Sequence, residues 1–307
     1  MGLFSKSVSF SPAKDIPSLE GKVILVTGGN NGLGKQSLLA FAHHNPSEIW
    51  LAARNLSKAS VAADEIKRMV PKTSVRVLEL DLASFHSIKA AANIFLSQAN
   101  RLDILMLNAG IMSTPHDLTE DGYEIQFGTN HMGHALLTKL ILPVLNKTAQ
   151  QADADVRIVV LSSSAHRYPP TGGFVPDSVK VPDALPAEAL YGQSKLANLL
   201  YVRQLAEHYP QFTIAAIHPG VVQTSLFRGA TGTSSFVRAV TWLVEMSGTS
   251  VEKGVFNQLW ASVSKDVRSG EYYEPVGVTN MAGFYGKDDK LAKKLWDWTE
   301  KELEGHA

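Results

Sequence analysis

Strand-length apolar runs alternate with helix-length stretches across residues 22–218, and this alternation constrains the fold more than any other feature of the 307-residue chain. The runs are Lys22–Thr27, Glu48–Ala53, Ser74–Leu80, Leu102–Asn108, Val156–Ser162 and Phe212–His218. Between them lie Gly32–His43, Leu56–Val70, Ser84–Ala99, Thr119–Leu145 and Leu190–Tyr209. Strand, helix and strand joined by short links wind as right-handed crossovers and build one parallel sheet. The runs are continuously apolar, so each strand is expected to be buried on both faces. The pattern predicts a single α/β domain: a doubly wound parallel sheet with helices on both faces.

Residues 1–20 show no periodicity and read as an extended N-terminal arm, leaving residues 21–307 for the domain. Two stretches interrupt the alternation. Arg167–Pro186 carries five prolines and Gly172-Gly173, and reads as an irregular loop. Val221–Gly248 mixes Gly, Ser and Thr with Phe236, Val237, Val240, Trp242, Leu243 and Val244, and reads as a mobile segment with one amphipathic helix. Both follow strand C-termini, where open α/β sheets bind ligands. Segments of about 165–189 and 221–248 are therefore the expected substrate loops.

Bulk numbers exclude several classes. Hydrophobic residues are 45% and charged residues 19%, enough for a large core. Lys+Arg and Asp+Glu are 29 each, so no basic excess points to nucleic acid or an anionic membrane. With Cys at 0, disulfides, thiolate metal sites and a cysteine nucleophile are excluded. The N-terminus has no secretory h-region, and Lys6 stands where a myristoylation motif wants Ser or Thr. No apolar run approaches the roughly 18 residues of a membrane span. The expectation is a cytoplasmic protein with no integral membrane segment. His43-His44 and His131/His134 have metal-like spacing but no clustered carboxylate, so no metal is expected.

The first run leads directly into Gly28-Gly29-Asn30-Asn31-Gly32-Leu33-Gly34. A glycine-rich turn before a helix lets backbone N–H groups approach a diphosphate, and the helix N-terminus favours its charge. Two motifs compete here. Gly29 to Gly34-Lys35 nearly spells a triphosphate P-loop, but Gln36 stands where Ser or Thr must hold Mg²⁺. That reading would make the chain a phosphotransferase. The spacing Thr27-Gly28-x-x-x-Gly32-x-Gly34 instead resembles the cofactor fingerprint of the short-chain dehydrogenase/reductase family, a single-domain Rossmann fold. The resemblance implies a nicotinamide cofactor on Gly28, Asn31, Gly32, Leu33 and Gly34.

The second strand ends at Ala53-Arg54-Asn55, without the carboxylate that binds an NAD ribose. An Arg suits a 2′-phosphate, so Arg54 favours NADP(H) over NAD(H), and Lys35 is expected to add to the basic field. After the third strand, Asp81 in Leu80-Asp81-Leu82 either accepts the adenine amino group, as the resemblance implies, or caps the helix beginning at Ser84. Asn108-Ala109-Gly110 resembles the family's motif that steadies the sheet and the adenosine ribose.

Tyr191 and Lys195 are four apart on one helical face. A carbonyl receiving hydride develops alkoxide character and needs a proton. A free Tyr has a pKa near 10, and a neighbouring cation lowers it. The family places its Ser after the fifth strand and its Tyr-x-x-x-Lys on the next helix. Ser162-Ser163-Ser164 and Tyr191-x-x-x-Lys195 fill those places. The resemblance assigns the catalytic serine to Ser163, with Ser162 and Ser164 as turn residues. It gives Lys195 a further contact with the nicotinamide ribose. Asn130, in Thr129-Asn130-His131-Met132-Gly133, resembles the family's fourth catalytic residue, whose water links Lys to solvent; otherwise it is a helix kink bonded to backbone. Pro219-Gly220-Val221-Val222-Gln223-Thr224 resembles the turn that grips the carboxamide through Val222 and Thr224.

The resemblance spans about residues 20–226. The C-terminal Leu291–Glu302 and the Gly-x-Gly-Lys start look like the retinol-dehydrogenase and WW-domain-oxidoreductase branch. Ser163 and Tyr191 are 28 positions apart, longer than in most members, which bears on substrate shape. The expected function is reduction of a ketone or aldehyde, or the reverse, on a small apolar molecule. The alternative is a non-catalytic NADP(H)-binding sensor or interaction protein on the same fold. Family members form dimers or tetramers, and no residue pattern here decides assembly. Ser194 in Gly192-x-Ser-x-Leu196 misses a hydrolase elbow at its last position. Trp296 and Trp298 read as core packing of a last amphipathic helix.

Overall fold

The computed structural model describes residues 7–224, 226, 231, 232 and 248–306. Seven parallel strands form one sheet in the order β3-β2-β1-β4-β5-β6-β7. They are β1 Val23–Thr27, β2 Glu48–Ala53, β3 Val75–Glu79, β4 Ile104–Leu107, β5 Arg157–Leu161, β6 Thr213–Ile217 and β7 Tyr272–Tyr273. The helices are α1 Pro12–Asp15, α2 Gly32–Ala42, α3 Leu56–Met69, α4 Phe85–Gln98, α5 Ile125–Phe127, α6 Gly133–Ala149, α7 Ala187–His208, α8 Val251–Gly254, α9 Phe256–Val263 and α10 Asp289–Glu302.

Successive strand residues point to opposite faces, and the two cores record it. Leu25, Leu105, Ile158 and Ile214 join one core with residues of α4, α6, α7 and α10. Their neighbours Ile24, Ile104, Val159 and Ala215 join the other with residues of α2, α3 and α9. Side chains such as Leu25 and Leu105 are 0% exposed, and each such burial contributes about 1.5–3 kcal/mol. Helices on both faces are thus a consequence of strands buried on both faces; the edge strand β3 departs from that expectation, with Arg76 and Glu79 exposed.

Three expectations change. The segment expected as an extended arm holds the helical turn α1, and Phe10, Ile16 and Leu19 are buried in the second core. The helix expected over Thr119–Leu145 begins only at Ile125 and continues as a π-helical turn, Gly128–Met132, before α6. Strand β7, only two residues long, had no periodicity to reveal it. Of the expected loop Val221–Gly248, residues 225, 227–230 and 233–247 lie outside the described residues, and with them the amphipathic helix.

Arg167–Pro186 is irregular apart from short 3₁₀ turns at Ser164–Arg167 and Pro176–Lys180. It is pinned from the C-terminal helix: Phe174 packs against Trp298 with ring centroids 5.2 Å apart. Trp296 stacks on Tyr201 and His208. Among the described residues no helix is long and apolar enough to cross a membrane.

Candidate active site

The chain leaves β1 toward β2 and β3, then returns to add β4 on the other side of β1. A crevice opens at the C-terminal ends of strands at such a switch point. Here it is a cleft of about 860 Å³.

One end is the glycine turn. Gly28 has φ +68°, in the left-handed region open to glycine. A Cβ on Gly34 would collide with Gly28 O and lie 2.6 Å from Asn108 Nδ2, so α2 approaches the strands only without a side chain there. Gly34 is therefore a packing residue behind the wall, whereas Gly28, Asn31, Gly32 and Leu33 line it. Thr27 anchors the turn. Its Oγ1 accepts N–H from Asn108 and Ala109, both at 3.0 Å, and Asn108 Nδ2 donates to Thr27 O at 2.9 Å. With two amides pointing at that oxygen, the Thr27 hydroxyl donates to His134 Nε2 at 2.9 Å. His134 Nδ1–H then donates to Asn130 O at 3.1 Å. Burial keeps His134 neutral, its pKa pushed down to about 4.

Arg54 and Asp81, just after β2 and β3, line the cleft beside the glycine turn. Arg54 is 77% exposed at its side chain, with Nε 4.0 Å from Asp81 Oδ2. Asp81 Oδ1 accepts Ala83 N at 2.9 Å; the cap of α4 is Ser84, which corrects the capping alternative for Asp81. Lys35 departs from expectation as well. Its ammonium pairs with Glu65, and the residue is not part of the cleft wall. Leu82, Ala109 and Gly110 continue the wall.

The other end belongs to β5 and α7. Ser163, Tyr191 and Lys195 all line the cleft. The Ser163 hydroxyl, which accepts Ala165 N at 3.2 Å, stands beside the Tyr191 phenol and works to lower its pKa. Lys195 Nζ lies 5.8 Å from the Tyr191 ring centroid and donates to Leu161 O at 3.0 Å. Burial pushes the Lys195 pKa down to about 8. Burial also pushes the Tyr191 phenol up to about 12, opposed by the Ser163 hydroxyl. The expected depression of Tyr191 by Lys195 is thus absent from this arrangement: the ammonium is over the ring and committed to a backbone carbonyl.

Asn130 sits in the π-turn, outside the wall. Its Nδ2 donates to Ile111 O and Ser194 Oγ, and its Oδ1 accepts Ile111 N, all at 2.9 Å. Ser194 Oγ in turn donates to Tyr191 O at 2.8 Å. A Cβ on Gly110 would stand 3.1 Å from Asn130 Oδ1 and 3.3 Å from Lys195 Nζ, so these groups converge on the Asn108–Gly110 turn. Ser162 Oγ donates to Lys195 O at 2.7 Å, which seats α7 on β5.

Pro219, Gly220, Val222 and Thr224 form the rim after β6, with Thr224 Cγ2 3.5 Å from a Cβ placed on Gly32. Met112, Thr114, Tyr168, Glu188, Val221 and Leu226 complete the wall beyond Tyr191. Tyr168, Glu188, Val221 and Leu226 fall in the expected substrate loops; Met112 and Thr114 were missed, and following a strand C-terminus was the available signal. Thr27, His134 and Ser194 were also missed as supports, because their partners are remote in sequence.

Residues 22–176 match the family model for short chain dehydrogenase. The chain is 34% identical over 305 residues to the chloroplastic short-chain dehydrogenase TIC 32 A of Brassica napus, covering 96% of this chain and 94% of that one. It is 36% identical over 288 residues to human retinol dehydrogenase 13, covering 91% and 83%. A crystal structure of an uncharacterised Mycobacterium paratuberculosis protein superposes with TM-score 0.74 at 27% identity, covering 97% of this chain and 98% of that one. With its sheet order, its glycine turn and these relatives, the chain belongs to the short-chain dehydrogenase family of oxidoreductases, in its retinol-dehydrogenase-like branch.

Proposed function

We propose that the chain binds NADP(H) and interconverts a carbonyl and an alcohol on a small, largely apolar substrate, with Tyr191 as the proton donor and acceptor. The observation that carries this reading is the meeting of Ser163, Tyr191 and a buried Lys195 in one cleft with the glycine turn.

The residues present fit a dinucleotide. Gly34 lets α2 close on the strands, and the positive φ of Gly28 turns the backbone into the cleft. The Arg54 guanidinium, 77% exposed and paired with Asp81 only at 4.0 Å, is placed to meet a 2′-phosphate. A solved short-chain dehydrogenase from Shigella flexneri is described as complexed with NADP. In this reading Gly28, Asn31, Gly32 and Leu33 hold the diphosphate. Arg54 holds the 2′-phosphate, and Asp81 and Leu82 meet the adenine. Asn108, Ala109 and Gly110 carry the ribose. Pro219, Gly220, Val222 and Thr224 orient the ring.

The bound nicotinamide supplies or accepts the hydride. The protein handles the proton. Tyr191, protonated because burial holds its pKa at about 12, donates to the substrate oxygen. Ser163 donates to the same oxygen and fixes its position. Lys195, still largely protonated below its pKa of about 8, would have to turn its ammonium from Leu161 O toward the Tyr191 oxygen to offset charge left there. Asn130 holds the Ile111 backbone and Ser194, and through them the start of α7. Met112, Val221 and Leu226 give the substrate end its apolar lining.

The test is Tyr191→Phe. Turnover of carbonyls with NADPH should fall by about 10²-fold or more while NADPH affinity, read by fluorescence titration, stays within about twofold. Undiminished turnover in the variant would remove Tyr191 from the reaction.

A further inference from the structure

The turn carrying Ser163 is held from behind by His166, whose backbone N–H donates to Ser163 O at 3.1 Å and whose imidazole meets the same oxygen. His166 belongs to the 3₁₀ turn Ser164–Arg167 and is 1% exposed. Its Nδ1 lies 2.6 Å from Ser163 O, and its Nε2 lies 2.9 Å from Gly283 N. A backbone amide only donates, so Nε2 accepts from Gly283. The ring proton therefore sits on Nδ1 and is donated to the Ser163 carbonyl. The ring is also clamped from its side. Tyr272 packs against it edge-on, with centroids 4.7 Å apart. The Tyr272 hydroxyl donates to Glu274 at 2.7 Å, and Glu274 pairs with Arg167 at 2.5 Å. Arg167 Nη2 donates further to Met281 O at 2.7 Å. Residues 272–283 thus fix the imidazole, and the imidazole fixes the backbone of Ser163.

We infer that His166 is a positioning residue: its Nδ1–H bond to the Ser163 carbonyl aims the Ser163 hydroxyl at the Tyr191 phenol, tying residues 272–283 to the reacting end of the cleft. The inference rests on the roles of Ser163 and Tyr191 proposed above. His166 does not line the cleft, so its influence passes through Ser163. Nothing in the spacing of the sequence marks it, because Gly283 is 117 positions away.

The two ring nitrogens can be replaced separately. In His166→Asn the side-chain amide stands in for Nδ1 and keeps the bond to Ser163 O. In His166→Gln it reaches the Nε2 position and keeps the bond to Gly283 instead. The full-length chain and its variants are assayed for NADPH consumption with para-nitrobenzaldehyde, octanal and cyclohexanone, with melting temperature and NADPH affinity measured alongside. Ser163→Ala should lower kcat by about 10²-fold. His166→Gln should lower kcat about tenfold with the KM for NADPH unchanged, and His166→Asn should retain most of the wild-type kcat. The double variant Ser163→Ala/His166→Gln should be no slower than Ser163→Ala alone, since residues acting through one group do not add.

Equal loss in His166→Asn and His166→Gln, or a double variant slower by the product of the two losses, would overturn the positioning role. Wild-type turnover in Ser163→Ala would instead remove the proposed function of Ser163, and with it the inference. If no carbonyl reacts with the wild-type chain, the reading of function fails. Crystal structures then decide the positioning: it stands if Ser163 Oγ stays beside the Tyr191 phenol in His166→Asn and leaves it in His166→Gln, and falls otherwise.

Discussion

At the β1–α2 end of the cleft the chain makes room by leaving side chains out, whereas at the β5–α7 end it packs polar side chains into a buried wall. The first end is a problem of approach. Gly34 has no free volume for a Cβ, and Thr27 ties the two backbone turns together with one hydroxyl. The second end is a problem of desolvation. Lys195 and Tyr191 are buried, and both are pushed toward their neutral forms, to pKa values of about 8 and about 12. The contrast teaches that the two ends should fail in opposite ways: the first when atoms are added, the second when atoms are removed.

The larger effect is expected from removal. Lys195→Met keeps the stem and deletes the charge. It should lower kcat by about 10²-fold, with NADPH affinity falling by a smaller factor through the lost ribose contact. Its stability should respond to pH in a stated direction. In the wild type the folded chain releases the Lys195 proton near pH 8, whereas the unfolded chain holds it to 10.5. Between those values the unfolded state binds more protons, so wild-type stability rises with pH relative to the variant. Below about pH 8 that relative gain is lost. Melting curves of the two proteins across this window check it, and parallel curves would contradict a buried lysine held at that value.

The smaller effect is expected from addition. Gly34→Ala places a methyl against Gly28 O and Asn108 Nδ2. Overpacking of this kind costs about 1–3 kcal/mol. The expected outcome is roughly a tenfold or larger loss of NADPH affinity and a lower melting temperature, with kcat at saturating NADPH nearly preserved. If kcat falls while affinity holds, the division between the two ends is wrong.

The same contrast explains what was legible in the sequence. A gap shows as glycine spacing within seven residues, so the Gly28–Gly34 turn could be read directly. Tyr191 and Lys195 could be read because one helix carries both at a fixed interval. Strand β2 was legible to its end residues, Glu48–Ala53, since both its faces are buried and turn signals bound it. What stayed hidden depends on distant partners. The Thr27–His134–Asn130 chain joins residues 107 positions apart, and the lone periodic cue at Thr129–Gly133 could not say that the turn is π-helical. Lys35 looked like a phosphate-facing cation until Glu65 of the next helix took its charge. The arm at residues 7–20 lacks periodicity because its buried side chains fill gaps between α9 and the sheet and share no single helical face.

The central claim is that a nicotinamide lies between these two ends with its reacting face toward Tyr191. A crystal structure of the chain with NADPH tests it most directly. The account predicts the diphosphate on Gly28–Gly34, the 2′-phosphate on Arg54 and the ring in contact range of the Tyr191 and Ser163 hydroxyls. A dinucleotide bound elsewhere, or one whose ring turns away from Tyr191, would contradict it.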